Sequence, residues 1–145
     1  MISAAILLDW ADAILGRITF RKRPLVMVID DDKDDCNLLT LHLQKLRCRV
    51  KHRFEGQSAI DSVDENGMAL LMIDLNLPGA SGIEVFKRVR RVHPELPLVV
   101  MSGNIDYHAI HGLLGLGCFS VWQKPRTGID LRDVRQILQQ HGIIK

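Results

Sequence analysis

The chain has 145 residues, a length that suits one domain, because single cores commonly comprise about 100–150 residues. Apolar residues make up 47% and charged residues 25% of the chain, which is typical of a folded globular protein and excludes intrinsic disorder. The 19 basic and 17 acidic residues leave a net charge of +2, so we expect no nucleic-acid partner. The three cysteines lack zinc or C-x-x-C spacing, which indicates reduced thiols and a cytoplasmic location.

Residues 1–24 differ from the rest of the chain and predict an amphipathic helix followed by a basic linker. The apolar face of this helix contains Leu7, Trp10, Ile14 and Ile18. Asp9 and Asp12 on the other face, together with the short length, argue against a membrane span. The basic residues follow the apolar run, so the segment does not resemble a signal peptide. Its apolar stripe fits packing on its own domain or contact with a second copy or partner, and fits a membrane surface less well.

From residue 25 onward, short apolar runs alternate five times with segments of helical period. Strands are predicted at 25–29, 49–54, 69–73, 96–101 and 119–123. Helices are predicted at 33–46, 57–63, 83–92, 106–114 and 130–140, with Asp130 as an N-cap. The run at 49–54 alternates in polarity, which places that strand nearer a sheet edge. The alternation predicts that residues 25–145 form one α/β domain, a doubly wound parallel sheet of five strands with helices on both faces.

Ligands of such open sheets bind beyond the carboxyl ends of the strands, so the residues at those ends are candidate site residues. Asp30 and Asp31 follow the first strand, and Asp74 follows the third. Ser102 and Lys124 follow the fourth and fifth strands. Three carboxylates at one edge need a counter-charge, and hard oxygen ligands of this kind suit Mg²⁺.

The stretch VIDDDKDD, residues 28–35, contains further carboxylates at Asp32, Asp34 and Asp35. They stand where the next helix is predicted to begin, and the helix dipole favours negative charge there by about 0.3–1 kcal/mol each. We therefore assign these three residues to the helix start and not to the metal.

The residues from Leu25 to about Gln140 resemble the receiver domain of two-component response regulators. The resemblance rests on four motifs in the order typical of that family, each at a predicted strand end: VIDD, LLMIDLNLPGASG, VVMSGN and KP. It implies a flavodoxin-like fold with strand order 2-1-3-4-5. It also implies a signalling phosphoacceptor that is not an enzyme, apart from self-catalysed loss of its own phosphoryl group.

The resemblance further implies a role for each site residue. Asp74 would accept a phosphoryl group from a histidine kinase or a phosphotransfer protein. Mg²⁺ would be held by Asp31, Asp74 and the backbone carbonyl of Asn76, with Asp30 acting mainly through a metal-bound water. Lys124 would pair with Asp74 before transfer and with a phosphoryl oxygen after it.

Ser102 and Val121 occupy the two positions that form the switch in this family. There a hydroxyl on strand 4 turns toward the phosphoryl group, and an aromatic residue on strand 5 moves inward behind it. Ser102 supplies the hydroxyl, but position 121 is Val, and the adjacent Trp122 should face the other side of the sheet. We expect the loop and helix after Ser102 to transmit the signal, because Gly112 weakens that helix by about 1 kcal/mol relative to Ala.

Two other functions remain as alternatives. A receiver-like docking module that takes no phosphoryl group is opposed by the complete set of Asp31, Asp74, Ser102 and Lys124. A haloacid-dehalogenase-like phosphohydrolase is suggested by the D-x-D at residues 30–32, but the residues expected after that motif are missing. No output domain follows in this sequence, so we expect the output to pass through contacts with a downstream protein target.

Overall fold

The computed structural model describes residues 23–63, 67–78, 81–104, 106–115, 117, 120–125 and 128–145. The N-terminal helix predicted within residues 1–24 therefore lies outside the described residues, except for the end of its linker. The strands are β1 (Leu25–Ile29), β2 (Arg49–Arg53), β3 (Met68–Asp74), β4 (Leu98–Ser102) and β5 (Ser120–Gln123). The helices are α1 (Lys33–Lys45), α2 (Gly56–Ile60), α3 (Gly82–Val92), α4 (Tyr107–Gly115) and α5 (Leu131–Gln140).

The strands form one parallel sheet in the order β2-β1-β3-β4-β5. This order confirms the predicted doubly wound, flavodoxin-like fold, with β2 at an edge as its alternating polarity indicated. Since all strands run the same way, the carboxyl ends of β1, β3, β4 and β5 lie along one edge of the sheet.

The sheet is buried on both faces by two apolar clusters. Val26 and Val28 of β1 point into the cluster beneath α1 and α5. Met27 and Ile29 point into the opposite cluster, which α3 covers with Phe86 among others. Because each fully buried aliphatic or aromatic side chain contributes about 1.5–3 kcal/mol, these two clusters fix which face each helix covers.

Helix starts in this chain are set by short polar side chains. The Asp32 carboxylate accepts hydrogen bonds from the backbone N–H groups of Asp34 and Asp35 and so caps α1. Ser81 caps α3, and Asp130 caps α5 by accepting from the backbone N–H of Arg132. The predicted cap at Asp130 is confirmed, and caps of this kind contribute about 1 kcal/mol each.

Two predicted boundaries are wrong by two or three residues. The strand predicted from residue 96 begins at Leu98, since Pro97 lacks the N–H that a strand ladder requires. The helix predicted to reach residue 63 ends at Ile60, because the Ser62 hydroxyl takes the Ser58 carbonyl and the Ser62 N–H bonds the Ala59 carbonyl instead.

Candidate functional site

The strand ends bring four polar side chains into one buried cluster. Asp30 and Ser102 are each 1% exposed and Asp74 is 5% exposed. Lys124 follows β5, and its backbone N–H donates to the Ser102 carbonyl at 2.8 Å. Parallel pairing therefore places a lysine and a hydroxyl beside two buried carboxylates.

The Lys124 ammonium lies at the centre of this cluster. Its Nζ atom is 2.7 Å from Asp74 Oδ2 and 2.8 Å from Asp30 Oδ2. A third carboxylate oxygen, Asp35 Oδ2, lies 3.1 Å away. An ammonium has three N–H donors, so each donor has a carboxylate acceptor and the hydrogen bonds are charge-assisted.

The electrostatics of the cluster follow from its burial. Burial raises the pKa of Asp30 to about 6, although hydrogen bonds from Lys124 and the Asp32 backbone oppose this shift. Burial by itself would lower the pKa of Lys124, but the hydrogen bonds to Asp30 and Asp74 outweigh it and raise that pKa. The ammonium therefore stays charged, and the carboxylates around it outnumber it.

The second oxygens of the buried carboxylates are held by backbone donors. Asp30 Oδ1 accepts from the Asp32 N–H at 3.0 Å, and Asp74 Oδ1 accepts from the Asn76 N–H at 2.8 Å. Both are local turns of the type that aspartate forms with the residue two positions on. These bonds fix the orientation of each carboxylate relative to the sheet edge.

Three carboxylates can converge on a cation here. Asp30, Asp31 and Asp74 each offer one oxygen, and the three oxygens lie within 4.8 Å of one another. Asp31 is exposed, whereas the other two are buried, so the group opens to solvent on one side. A hard oxygen donor set with surplus negative charge and an open side fits Mg²⁺, which keeps some of its waters.

The Ser102 hydroxyl is engaged with its own loop. Its Oγ atom donates to the Asn104 carbonyl at 2.8 Å and accepts from the Asn104 N–H at 3.2 Å. Behind it, Val121 packs against the cluster that contains Phe86, and Trp122 packs against the opposite cluster. The prediction that Trp122 faces away from Val121 is confirmed.

Helix α3 begins directly against the strand that carries Asp74. The Gly82 N–H donates to the Leu75 carbonyl at 3.1 Å. A Cβ atom at position 82 would collide with the Asp74 carbonyl oxygen and lie 2.6 Å from the Leu75 Cα atom. Glycine at this position therefore permits the close approach that holds the Asp74 backbone in place.

Asp35 is the site residue that the sequence interpretation missed. We assigned it to the helix start, and its backbone N–H does bond the Asp32 cap. Its carboxylate, however, also contacts Lys124. One signal was present in the sequence: Asp35 is one turn before Leu39, which is buried, so that side of α1 faces the sheet.

Comparison with known proteins agrees with this fold. The receiver domain of a putative LuxO repressor from Vibrio parahaemolyticus has a TM-score of 0.74 at 19% identity, over 82% of this chain and 89% of that one. A CheY-like receiver domain protein from Methanospirillum hungatei has a TM-score of 0.75 at 16% identity, over 82% of this chain and 93% of that one. These similarities establish a CheY-like fold.

The family follows from the sequence match. Residues 26–139 match the family described as the response regulator receiver domain, so the chain belongs to that family. Its members are phosphoacceptors of two-component signal transduction.

Two curated relatives are longer than this chain. Transcription factor SKN7 of Saccharomyces cerevisiae is 29% identical over 117 residues, which are 81% of this chain and 19% of that protein. The uncharacterized transcriptional regulatory protein YkoG of Bacillus subtilis is 27% identical over 118 residues, 81% of this chain and 52% of that protein. The chain thus spans from about a fifth to about half of these relatives.

Within the part of the chain that the structure describes, no helix combines the length and apolarity needed to cross a bilayer.

Proposed function

We propose that this chain accepts a phosphoryl group on Asp74, in a Mg²⁺-dependent transfer from a histidine kinase or a phosphotransfer protein. The observation that carries the proposal is the environment of Asp74. Its carboxylate is buried, bonded to the Lys124 ammonium, and grouped with the oxygens of Asp30 and Asp31. A fixed carboxylate beside a cation site and a lysine is suited to nucleophilic attack on phosphorus.

The residues that would hold the ion are Asp31, Asp74 and the backbone carbonyl of Asn76, with Asp30 acting through a bound water. When present, Mg²⁺ neutralises negative charge on the phosphoryl oxygens during transfer. Asp30 contributes to the site by keeping negative charge beside the ion and by accepting from Lys124.

In the transfer step, one oxygen of Asp74 attacks the phosphorus of a phosphohistidine in line. The new O–P bond forms as the N–P bond breaks, and the electron pair of the broken bond stays on the imidazole nitrogen. Lys124 then exchanges its hydrogen bond to Asp74 Oδ2 for one to a phosphoryl oxygen. Its charge is maintained throughout because its pKa is raised.

The switch in this proposal begins at Ser102. Its hydroxyl leaves the Asn104 carbonyl and donates to the phosphoryl group, which releases the loop that follows β4. Since Val121 has no ring to move inward, the change passes to the loop and to α4 as a shift in population. The altered surface then changes contacts with a downstream protein target.

We also propose where the chain acts, what further chemistry it has and what residues 1–24 do. The chain acts in the cytoplasm as a signalling phosphoacceptor, and its only chemistry beyond acceptance is the self-catalysed hydrolysis of its own aspartyl phosphate. The segment at residues 1–24 either packs on the receiver domain or joins two copies into a homodimer.

The direct test is phosphorylation by acetyl phosphate, followed by intact-protein mass spectrometry. We expect the wild type to gain one phosphoryl group with Mg²⁺ and none with EDTA. Asp74→Asn should gain none, whereas Asp61→Asn, which changes an exposed carboxylate at the end of α2, should behave as wild type.

Two results would contradict the proposal. A wild type that gains no phosphoryl group and binds no beryllium fluoride with Mg²⁺ would indicate a docking module. Continuous hydrolysis of phosphate esters would instead indicate a phosphohydrolase.

Light scattering with and without Mg²⁺ and beryllium fluoride tests the role of the N-terminal segment. A dimer mass that Leu7→Gln with Ile14→Gln reduces to a monomer supports the homodimer. A monomer mass under every condition supports packing on the chain's own domain.

A further inference from the structure

The Lys124 ammonium has one carboxylate partner more than the proposed chemistry requires. Asp30 and Asp74 belong to the group of oxygens that could hold a cation, but Asp35 does not. Asp35 reaches the ammonium from the first turn of α1, and its side chain is 34% exposed against 10% for Lys124. It therefore stands at the rim of the site with no direct part in the transfer described above.

The position of Asp35 is fixed by the local structure. Its backbone N–H is bonded to the Asp32 carboxylate at 3.1 Å, which holds the first turn of α1 over the strand ends. The Lys124 Nζ atom is also the shared partner of Asp30 and Asp74. The three carboxylates consequently share the three donors of one ammonium, one donor each.

This sharing affects a cation in a defined direction. A cation that binds Asp30 and Asp74 must weaken their bonds to Lys124. Asp35 still accepts from the ammonium when those two bonds weaken, and its negative charge also attracts the cation. Both effects favour cation binding.

The same sharing affects a phosphoryl group in the opposite direction. A phosphoryl oxygen takes the Lys124 donor that Asp74 releases, while Asp35 keeps another donor and holds the ammonium toward the rim of the site. The Asp35 carboxylate also repels the anionic group. Both effects oppose phosphoryl binding.

We infer that Asp35 is a positioning residue for Lys124. By holding one of the three N–H donors of the ammonium at the rim of the site, it promotes cation binding and opposes the bound phosphoryl group. The inference rests on the proposed function and deepens it. It assigns Asp35 a part in setting the balance between the free and the phosphorylated states.

The test is a pair of calorimetric titrations on Asp35→Asn. We expect its dissociation constant for Mg²⁺ to rise about threefold, in keeping with a partly exposed ion pair. With Mg²⁺ saturating, its apparent dissociation constant for beryllium fluoride should fall by a similar factor of about three. A merely structural role would weaken both affinities together, so the opposite signs identify positioning.

Asp34→Asn is the matched control, because Asp34 is exposed, has the same charge and lies in the same turn of α1. It should change both constants by less than Asp35→Asn does. Asp35→Glu should return the Mg²⁺ affinity toward the wild-type value by restoring the charge near Lys124.

The inference is overturned if Asp35→Asn matches Asp34→Asn in both titrations, or if its two affinities shift in the same direction. Failure of the proposed function gives a different result. In that case the wild type binds no beryllium fluoride, or Asp74→Asn binds it equally well, whatever residue stands at position 35.

Discussion

At the scale of single residues, Asp30 shows the cost of concentrating carboxylates in a buried site. Burial raises its pKa from 3.8 to about 6, which means that the fold disfavours its charged form. A neutral side chain at position 30 would avoid this cost, so stability alone does not account for an aspartate there. The cost is understandable if Asp30 serves a cation.

We predict that Asp30→Asn stabilises the metal-free protein at pH 7.5 by roughly 1–3 kcal/mol. As pH rises from about 4 to about 6, the unfolded chain ionises Asp30 first, so the folded state loses stability over that interval. The gain in the variant should therefore shrink when pH falls from 6 to 4. Urea unfolding in EDTA at several pH values measures it, and a gain that does not change with pH would contradict the assignment.

Gly82 is a residue whose importance is steric. We predict that Gly82→Ala lowers the free energy of unfolding by about 1–3 kcal/mol, because the added Cβ collides with the backbone of Asp74 and Leu75. It should also weaken Mg²⁺ binding by displacing Asp74. Gly67→Ala is the control, since a Cβ there meets no atom within 4 Å. Equal stability of the two variants in urea would refute this.

At the scale of elements, Arg90 ties the end of α3 to two loops. Its guanidinium donates to the carbonyls of His93, Pro94 and Leu96, and at 2.8 Å to that of Gly117 in the turn before β5. It also lies 5.9 Å from the centroid of the Phe86 ring. The Arg90 side chain thus links the segment that precedes β4 to the segment that precedes β5.

We predict that Arg90→Lys destabilises the fold by about 1–3 kcal/mol, because an ammonium cannot reach the same set of carbonyls as the planar guanidinium. Hydrogen exchange should increase in both loops at once. Arg91→Lys, on the exposed side of the same helix, should leave both loops protected. Exchange that increases in only one loop would show that Arg90 does not couple them.

Helix α4 is the element on which our account of the switch depends. Leu113 is buried, whereas His108, His111 and Leu114 are exposed, so few of its described side chains hold it to the sheet. Gly112 lies inside this helix, and nothing lies within 4 Å of a Cβ built there. These features are the basis on which we predict that α4 is easily remodelled.

We predict that Gly112→Ala stabilises α4 by up to about 1 kcal/mol and slows its amide exchange. It should also reduce the change in exchange that Mg²⁺ and beryllium fluoride produce in α4. Gly67→Ala, far from this helix in sequence, serves as the control. An undiminished response would show that the signal does not depend on the softness of α4.

At the scale of the whole molecule, ligand binding should stabilise the fold, since the site is assembled from four strands and exists only in the folded state. We predict that, with Mg²⁺ already saturating, beryllium fluoride at about 100 times its dissociation constant adds about 2.7 kcal/mol to the free energy of unfolding. The melting temperature should rise by roughly 5–10 °C. Differential scanning calorimetry measures the shift, and an equal rise in Asp74→Asn would place the ligand elsewhere.

The prediction of the fold from sequence succeeded because it depended on local patterns. The apolar run LVMVI, the helical spacing that follows it, and Asp130 as an N-cap are properties of neighbouring residues. Boundaries at residues 63 and 96 were less accurate, since the bond from Ser62 to Ser58 and the missing donor of Pro97 override simple periodicity. The segment at residues 1–22 lies outside the described residues and stays a prediction.

Part of the candidate site can be predicted from the sequence, and part depends on the tertiary structure. That Asp30, Asp74, Ser102 and Lys124 stand at strand ends is readable from the order of the chain, because parallel strands align those ends. The contacts of Lys124 with Asp30, Asp35 and Asp74 join residues 94, 89 and 50 positions apart, and these depend on sheet register and on how α1 lies over the sheet. The spacing of Asp35 from Leu39 indicates which side of α1 faces the sheet, but only packing in three dimensions brings Asp35 to the lysine. The same packing brings position 82 so close to Asp74 that glycine alone fits.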